Sequence, residues 1–94
     1  MRGCDRFYCV KCGKEWDVPN NLGTYYSCAS LCRECTKKFV ALHKKQIVTG
    51  KHRDILEETD DYVITLCKTK NNPPELAVLP KSSSLVSSYI LLDI

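Results

Sequence analysis

Ninety-four residues with a formal charge of +3 and seven cysteines bound this chain to one small domain with a limited core. No stretch approaches the roughly 18 to 20 apolar residues that a membrane-spanning helix needs, and Met1–Arg6 has no apolar run resembling a signal peptide. Signals for N-myristoylation and prenylation are missing too, so the expectation is a soluble protein of a reducing intracellular compartment, cytoplasm or nucleus, with no membrane partner.

Charge divides the chain. Through Arg53 there are eleven Lys or Arg against four Asp or Glu, and from Asp54 onward three against seven. This predicts a zinc-binding module with a basic helix over residues 1–53. An acidic linker and β-rich tail over 54–94 would pack on it, giving one compact domain. The acidic run Asp54, Glu57, Glu58, Asp60 and Asp61 can either neutralise the basic half in cis or leave it for a partner.

In chain order, the residues up to Tyr8 read as a lead-in strand, and Cys9–Lys14 as a metal knuckle with Gly13 at its bend. Trp16, Val18 and Leu22 flank a turn at Pro19-Asn20-Asn21 with Gly23, and Thr24–Tyr26 returns as a strand, giving a hairpin. A helix begins near Leu31, with Ser27 or Ser30 as its cap and Gly50 as its stop. At about 100° per residue, Leu31, Cys35, Phe39, Leu42 and Ile47 share its buried side. Arg33, Lys37, Lys44 and Lys51 line up opposite, with Lys38 and Lys45 in a second row and Arg53 nearby. Arg53–Thr59 is expected as a short second helix on Ile55 and Leu56. Tyr62–Lys68, Leu76–Leu79 and Tyr89–Ile94 are expected as strands of a small antiparallel sheet.

Cys9-Val10-Lys11-Cys12 and Cys32-Arg33-Glu34-Cys35 are the motifs that carry chemistry. Two Cys-x-x-Cys turns supply four thiolates, the donor set of a closed tetrahedral Zn²⁺ site. The second pair would sit in the first helical turn, where free N–H groups and the dipole stabilise thiolates. A disulfide scaffold competes for seven cysteines, but the odd count and the start of the chain argue against it. Redox chemistry of thioredoxin type would need one such motif in a βαβ setting, which this sequence lacks.

A knuckle, a hairpin and a helix opening on Cys-x-x-Cys resemble the treble-clef class of zinc fingers over about Tyr8 to Gly50, on Cys9, Cys12, Gly13, Cys32 and Cys35. The resemblance implies an α+β fold: a treble-clef-like module plus a small antiparallel sheet, holding one structural Zn²⁺. Treble clefs serve many roles, so it does not choose among them. In length, charged start and β-rich tail, the whole chain also resembles the small cysteine-rich accessory proteins of RNA viruses such as avian coronaviruses. That implies a non-enzymatic protein acting on host defence or gene expression, with host proteins or RNA as partners. A RING-like cross-brace would need a second ligand set that is missing.

The other candidate ligands lack this spacing. Cys28 can replace Cys32 or face the hairpin core, and Cys4 can join Cys28 in a poorer second site. His43 and His52 are more simply satisfied or solvated, and Cys67 is a small core residue. Catalysis has little support, because four thiolates leave no open coordination position and the zinc-deaminase signature is absent. Two binding readings remain. Arg33, Lys37, Lys38, Lys44, Lys45, Lys51 and Arg53, with Trp16, Tyr25 and Tyr26 for stacking, suit a phosphate backbone. The apolar tail suits a regulatory or host protein, or a homodimer through the C-terminal strand, and this protein-contact reading is the favoured one.

Overall fold

The knuckle is itself a hairpin turn. The computed structural model describes residues 3–20 and 27–92; in it, β1 (Gly3–Cys9) and β2 (Glu15–Asn20) pair antiparallel on either side of Val10–Lys14. Cys9 N–H donates to the Lys14 carbonyl at 2.7 Å and Gly13 N–H to the Cys9 carbonyl at 2.9 Å. Gly13 takes φ +80 with open space around it, so its left-handed backbone, not crowding, requires glycine. Directly opposite each other, Phe7 and Trp16 stack at 5.6 Å between ring centroids.

β2 therefore forms a hairpin with β1, a pairing the sequence reading did not include. Leu22, Gly23 and Thr24–Tyr26 lie outside the described residues. The strand that follows, β3 (Ser27–Ser30), pairs in parallel with β1 on the side away from β2, giving the order β2-β1-β3. Reading the knuckle as a loop hid that β1 was already the partner of β2.

Helix α1 (Arg33–Thr49) starts from Cys32, not from a serine: Ser27 and Ser30 both belong to β3, and Cys32 takes the extended N-cap conformation. Its buried side is narrower than expected. Phe39 and Ile47 are buried with His43 half-buried between them, whereas Leu42 is 78% exposed, about 100° off that stripe. The helix bends at His43 (φ −108, ψ 17). Gly50 ends it with φ −71, and not through a left-handed turn; a Cβ there would collide with the Gln46 carbonyl. The last turn carries no basic residue of its own. Lys68 supplies the cation instead, its Nζ donating to the Val48 carbonyl at 2.7 Å.

The second half is an antiparallel meander of β4 (Ile55–Glu58), β5 (Tyr62–Thr69), β6 (Asn72–Pro80) and β7 (Ser88–Leu91), in that spatial order. The expected short helix over Arg53–Thr59 is instead the lead-in to β4 and β4 itself. Two adjacent apolar residues fix no period, and the edge of β5 offers a ladder. Thr59 closes the turn, its Oγ1 accepting from the N–H groups of Asp61 and Tyr62, each at 3.2 Å. β6 begins at Asn72, four residues before the expected strand. Asp93 and Ile94, expected in the last strand, lie outside the described residues.

One continuous core joins both halves. Cys9, Cys32, Phe39 and Ile47 belong to the same buried cluster as Leu56, Ile64, Leu66, Leu76, Val78 and Leu92. The two sheets also meet directly. Ala29 N–H donates to the Val86 carbonyl at 2.9 Å, Val86 N–H to the Ser27 carbonyl at 2.8 Å, and Ser88 Oγ to the Ala29 carbonyl.

Candidate metal centre

Four sulfur atoms converge where the β1–β2 turn meets the start of α1. The Sγ atoms of Cys9, Cys12, Cys32 and Cys35 all lie within 4.8 Å of one another, and Cys12 Sγ is 3.6 Å from Cys32 Sγ. A disulfide would require about 2.0 Å. Tetrahedral Zn²⁺ with Zn–S bonds of about 2.3 Å places its sulfurs about 3.8 Å apart. The group can hold one metal ion, and four thiolates at this spacing suit zinc.

Local structure explains the convergence. In the knuckle, Cys9 is the last residue of β1 and Cys12 sits on the turn closed by the Gly13 bend. In the helix, Cys32 is the N-cap, its sulfur making no capping hydrogen bond, and Cys35 lies three residues on, so both sulfurs belong to the first turn. Cys9 and Cys32 are buried, Cys35 is half-buried and Cys12 is exposed, so the site has one solvent-facing corner.

Electrostatics distinguishes the four thiols. For Cys9, burial opposes ionisation, but the N–H groups of Cys32, Cys12 and Lys11 outweigh it and bring the pKa down to about 6. For Cys35, burial and the sulfurs of Cys32, Cys9 and Cys12 all oppose ionisation, raising it to about 12. At Cys12 the Lys14 N–H favours the thiolate, yet Cys9 and burial prevail and the pKa rises. Four negative charges at this spacing repel, and a divalent cation removes the repulsion.

Sequence reasoning missed the contact that docks the knuckle on the second sheet. Lys11, between the first two cysteines, places Nζ 2.6 Å from Glu57 Oε2, and Tyr62 donates its hydroxyl to the same oxygen at 2.6 Å. Nζ also lies 5.5 Å from the Phe39 ring centre and 6.0 Å from that of Tyr62. Forty-six positions separate Lys11 from Glu57, and the opposite charges of the two halves were the only available hint.

The remaining candidates fall elsewhere. His52 Nδ1 accepts the Lys68 N–H at 3.1 Å, and His43 Nδ1 lies 2.7 Å from Gln46 Oε1, its ring against Phe39. Neither belongs to the four-sulfur group. Cys28 is buried in β3 and Cys67 half-buried in β5; the side chain of Cys4 lies outside the described residues. Arg33, Lys37, Lys38, Lys44 and Lys45 are exposed along α1. Lys51 and Arg53 are exposed as well, but they lie beyond Gly50, so the expected row of four stops at Lys44. No ion pair engages any of these seven among the described residues. Among the described residues, only Glu57 of the acidic run pairs with a cation of the first half; Glu58 pairs with Lys81 at 3.1 Å. Tyr25 and Tyr26 lie outside the described residues, and Trp16 is engaged with Phe7.

No helix among the described residues is long and apolar enough to cross a membrane. Compared with known protein families, curated proteins and solved structures, the chain matches none.

Proposed function

We propose that this chain is a non-enzymatic zinc protein. In this reading one structural Zn²⁺ on Cys9, Cys12, Cys32 and Cys35 ties a treble-clef-like module to a small sheet, and the protein acts through regulatory contacts with other proteins. The convergence of four thiols within 4.8 Å carries the reading, because that donor set closes the coordination shell and leaves the metal a structural task. Thiolate ligation also fits a reducing cytoplasm or nucleus.

Protein contact is favoured by the apolar side chains left at the surface. Tyr89 and Leu91 on β7, Ile55 on β4, and Leu42 and Val48 on α1 are all more than half exposed. The resemblance to viral accessory proteins makes a host regulator the expected partner. One observation favours nucleic acid as a second reading: the exposed lysines of α1 have no acidic partners among the described residues.

Elemental analysis of protein purified without added metal tests the foundation. One zinc per chain, lost when Cys9 and Cys35 are both changed to serine, is the expected result; metal-free protein that stays folded in excess EDTA overturns it. Titrating RNA and DNA at two salt concentrations separates the binding readings. Absent or salt-insensitive binding removes the phosphate reading, and steep salt dependence abolished by Lys37→Glu with Lys44→Glu removes the protein-contact reading.

A further inference from the structure

The groove between α1 and β7 offers an extended peptide both a strand edge that is free among the described residues and flanking lysines. β7 is the edge strand of the meander. Leu92 N–H donates to the Pro74 carbonyl of β6 at 2.9 Å. Ladder bonds of an antiparallel pair recur at every second residue, so Ser88 and Ile90 also face β6, while the N–H and C=O groups of Tyr89 and Leu91 face away from it. β3 abuts this side of the chain at Val86 and Ser88; beyond it, the Tyr89 and Leu91 groups are unpaired among the described residues, and an edge of this kind accepts an added strand.

What lies beside that edge determines the peptide. Val40 and Ala41 of α1 face Leu91 and Leu92 across a cavity of about 540 Å³, lined also by Lys37 and Lys44 and, among the described residues, by no acidic one. Leu91 is 64% exposed. The two lysines are seven residues apart, about 10 Å along a helix at 1.5 Å per residue. Acidic residues at i and i+4 of an extended strand stand about 13 Å apart, a mismatch that flexible lysine side chains absorb. The residue at i+2, on the same face, then meets Val40 and Ala41.

We infer that this groove binds an extended peptide of the pattern acidic-x-apolar-x-acidic, added as a fifth strand on β7. The inference rests on the protein-contact reading above and gives that contact a place and a chemistry. The occupant is fixed by the combination: the edge selects extended backbone, the floor an apolar side chain, and the lysines flanking carboxylates.

The test uses the full zinc-loaded chain and a fluorescent, end-blocked peptide containing Glu-Thr-Val-Thr-Glu. Expected are saturable binding, about tenfold weakening by Lys37→Glu with Lys44→Glu, and comparable loss for a peptide whose alternate amides are N-methylated. Leu91→Pro should act similarly, since it deletes an outward N–H and leaves the ladder to β6 intact; the methylated peptide tests the same point without altering the protein. Equal binding of a Lys-Thr-Val-Thr-Lys peptide or of the methylated one overturns the inference. So does binding seen only after removal of Asp93 and Ile94, or a chain dimer that Leu91→Pro dissolves, which assigns the edge to a second copy. No peptide binding by folded, zinc-loaded protein that also ignores RNA overturns the groove alone, whereas salt-sensitive RNA binding through the same lysines overturns the protein-contact reading with it.

Discussion

Lys11 would be unremarkable as a residue between two cysteines if its ammonium faced water. Instead it meets Glu57 at 2.6 Å, with Tyr62 donating to the same carboxylate oxygen. Burial alone would raise the Glu57 pKa, but the bonds from Lys11 and Tyr62 outweigh it and hold the carboxyl below the ordinary range. A depressed folded-state pKa stabilises the fold fully above the unfolded value of about 4.3 and loses that contribution as pH falls below it. Glu57→Gln should therefore cost about 1 to 2 kcal/mol at pH 7, and the difference from the parent should shrink toward zero as pH drops to about 3. Urea melts of both proteins across that range check it; a difference that does not change with pH would mean Glu57 acts by packing. Arg53 makes the opposite prediction. With φ +71 and its N–H bonded to the Leu66 carbonyl, it holds a left-handed conformation that glycine adopts freely. Arg53→Gly should leave the melt unchanged or raise stability by up to about 1 kcal/mol.

At the scale of elements, the helix ends carry the most physics. Cys32 and Cys35 occupy the N-cap and third positions, where a capping box would place its two side chains, with sulfurs in their stead. That both cysteines open the helix was legible in the sequence, since Cys-x-x-Cys before an amphipathic run marks a donor pair at a helix start; that Cys32 itself is the N-cap was not, because a serine was expected there. The strands of β5 and the tail were legible for a similar reason: β-branched and aromatic residues cluster there. What could not be read was which strands pair in the first half, because parallel pairing of β1 with β3 depends on where the knuckle turns the chain. β4 was misread because Ile55 and Leu56 look alike in any periodicity, and Leu42 because the stripe on α1 was drawn too wide. At the other end, Gly50 is fixed by crowding, not by a positive φ. Gly50→Ala should force the chain away from the Gln46 carbonyl and cost about 1 to 3 kcal/mol. Chemical denaturation measures it; a neutral effect would show that the junction between α1 and β4 yields easily.

For the molecule as a whole, the shared core decides how far metal loss spreads. A zinc module that folded independently would lose its own structure on chelation and leave the meander intact. Here Cys9 and Cys32 belong to the buried cluster that includes Leu56, Ile64 and Leu66, and Lys11 bonds the knuckle to Glu57. The cation is what binds four sulfurs as thiolates at this spacing, and without it no bond joins the two Cys-x-x-Cys turns, so the knuckle should open first. Opening removes the Lys11 ammonium from Glu57 and Tyr62, which leaves a half-buried carboxylate without its ion pair. Hydrogen exchange before and after EDTA should then show protection lost in two steps in space. The amides of Val10 and Gly13, bonded to Ser30 and Cys9, should exchange fastest. Those of β4 should follow, because Glu57 and Leu56 lose their support from the knuckle side. The β5–β6 pair, with Ile64, Leu66, Leu76 and Val78 fully buried between and beneath its strands, should retain most of its protection. Loss confined to the knuckle and α1 would mean the two halves are energetically separate despite their common core, and uniform loss would mean the ion supports the whole domain.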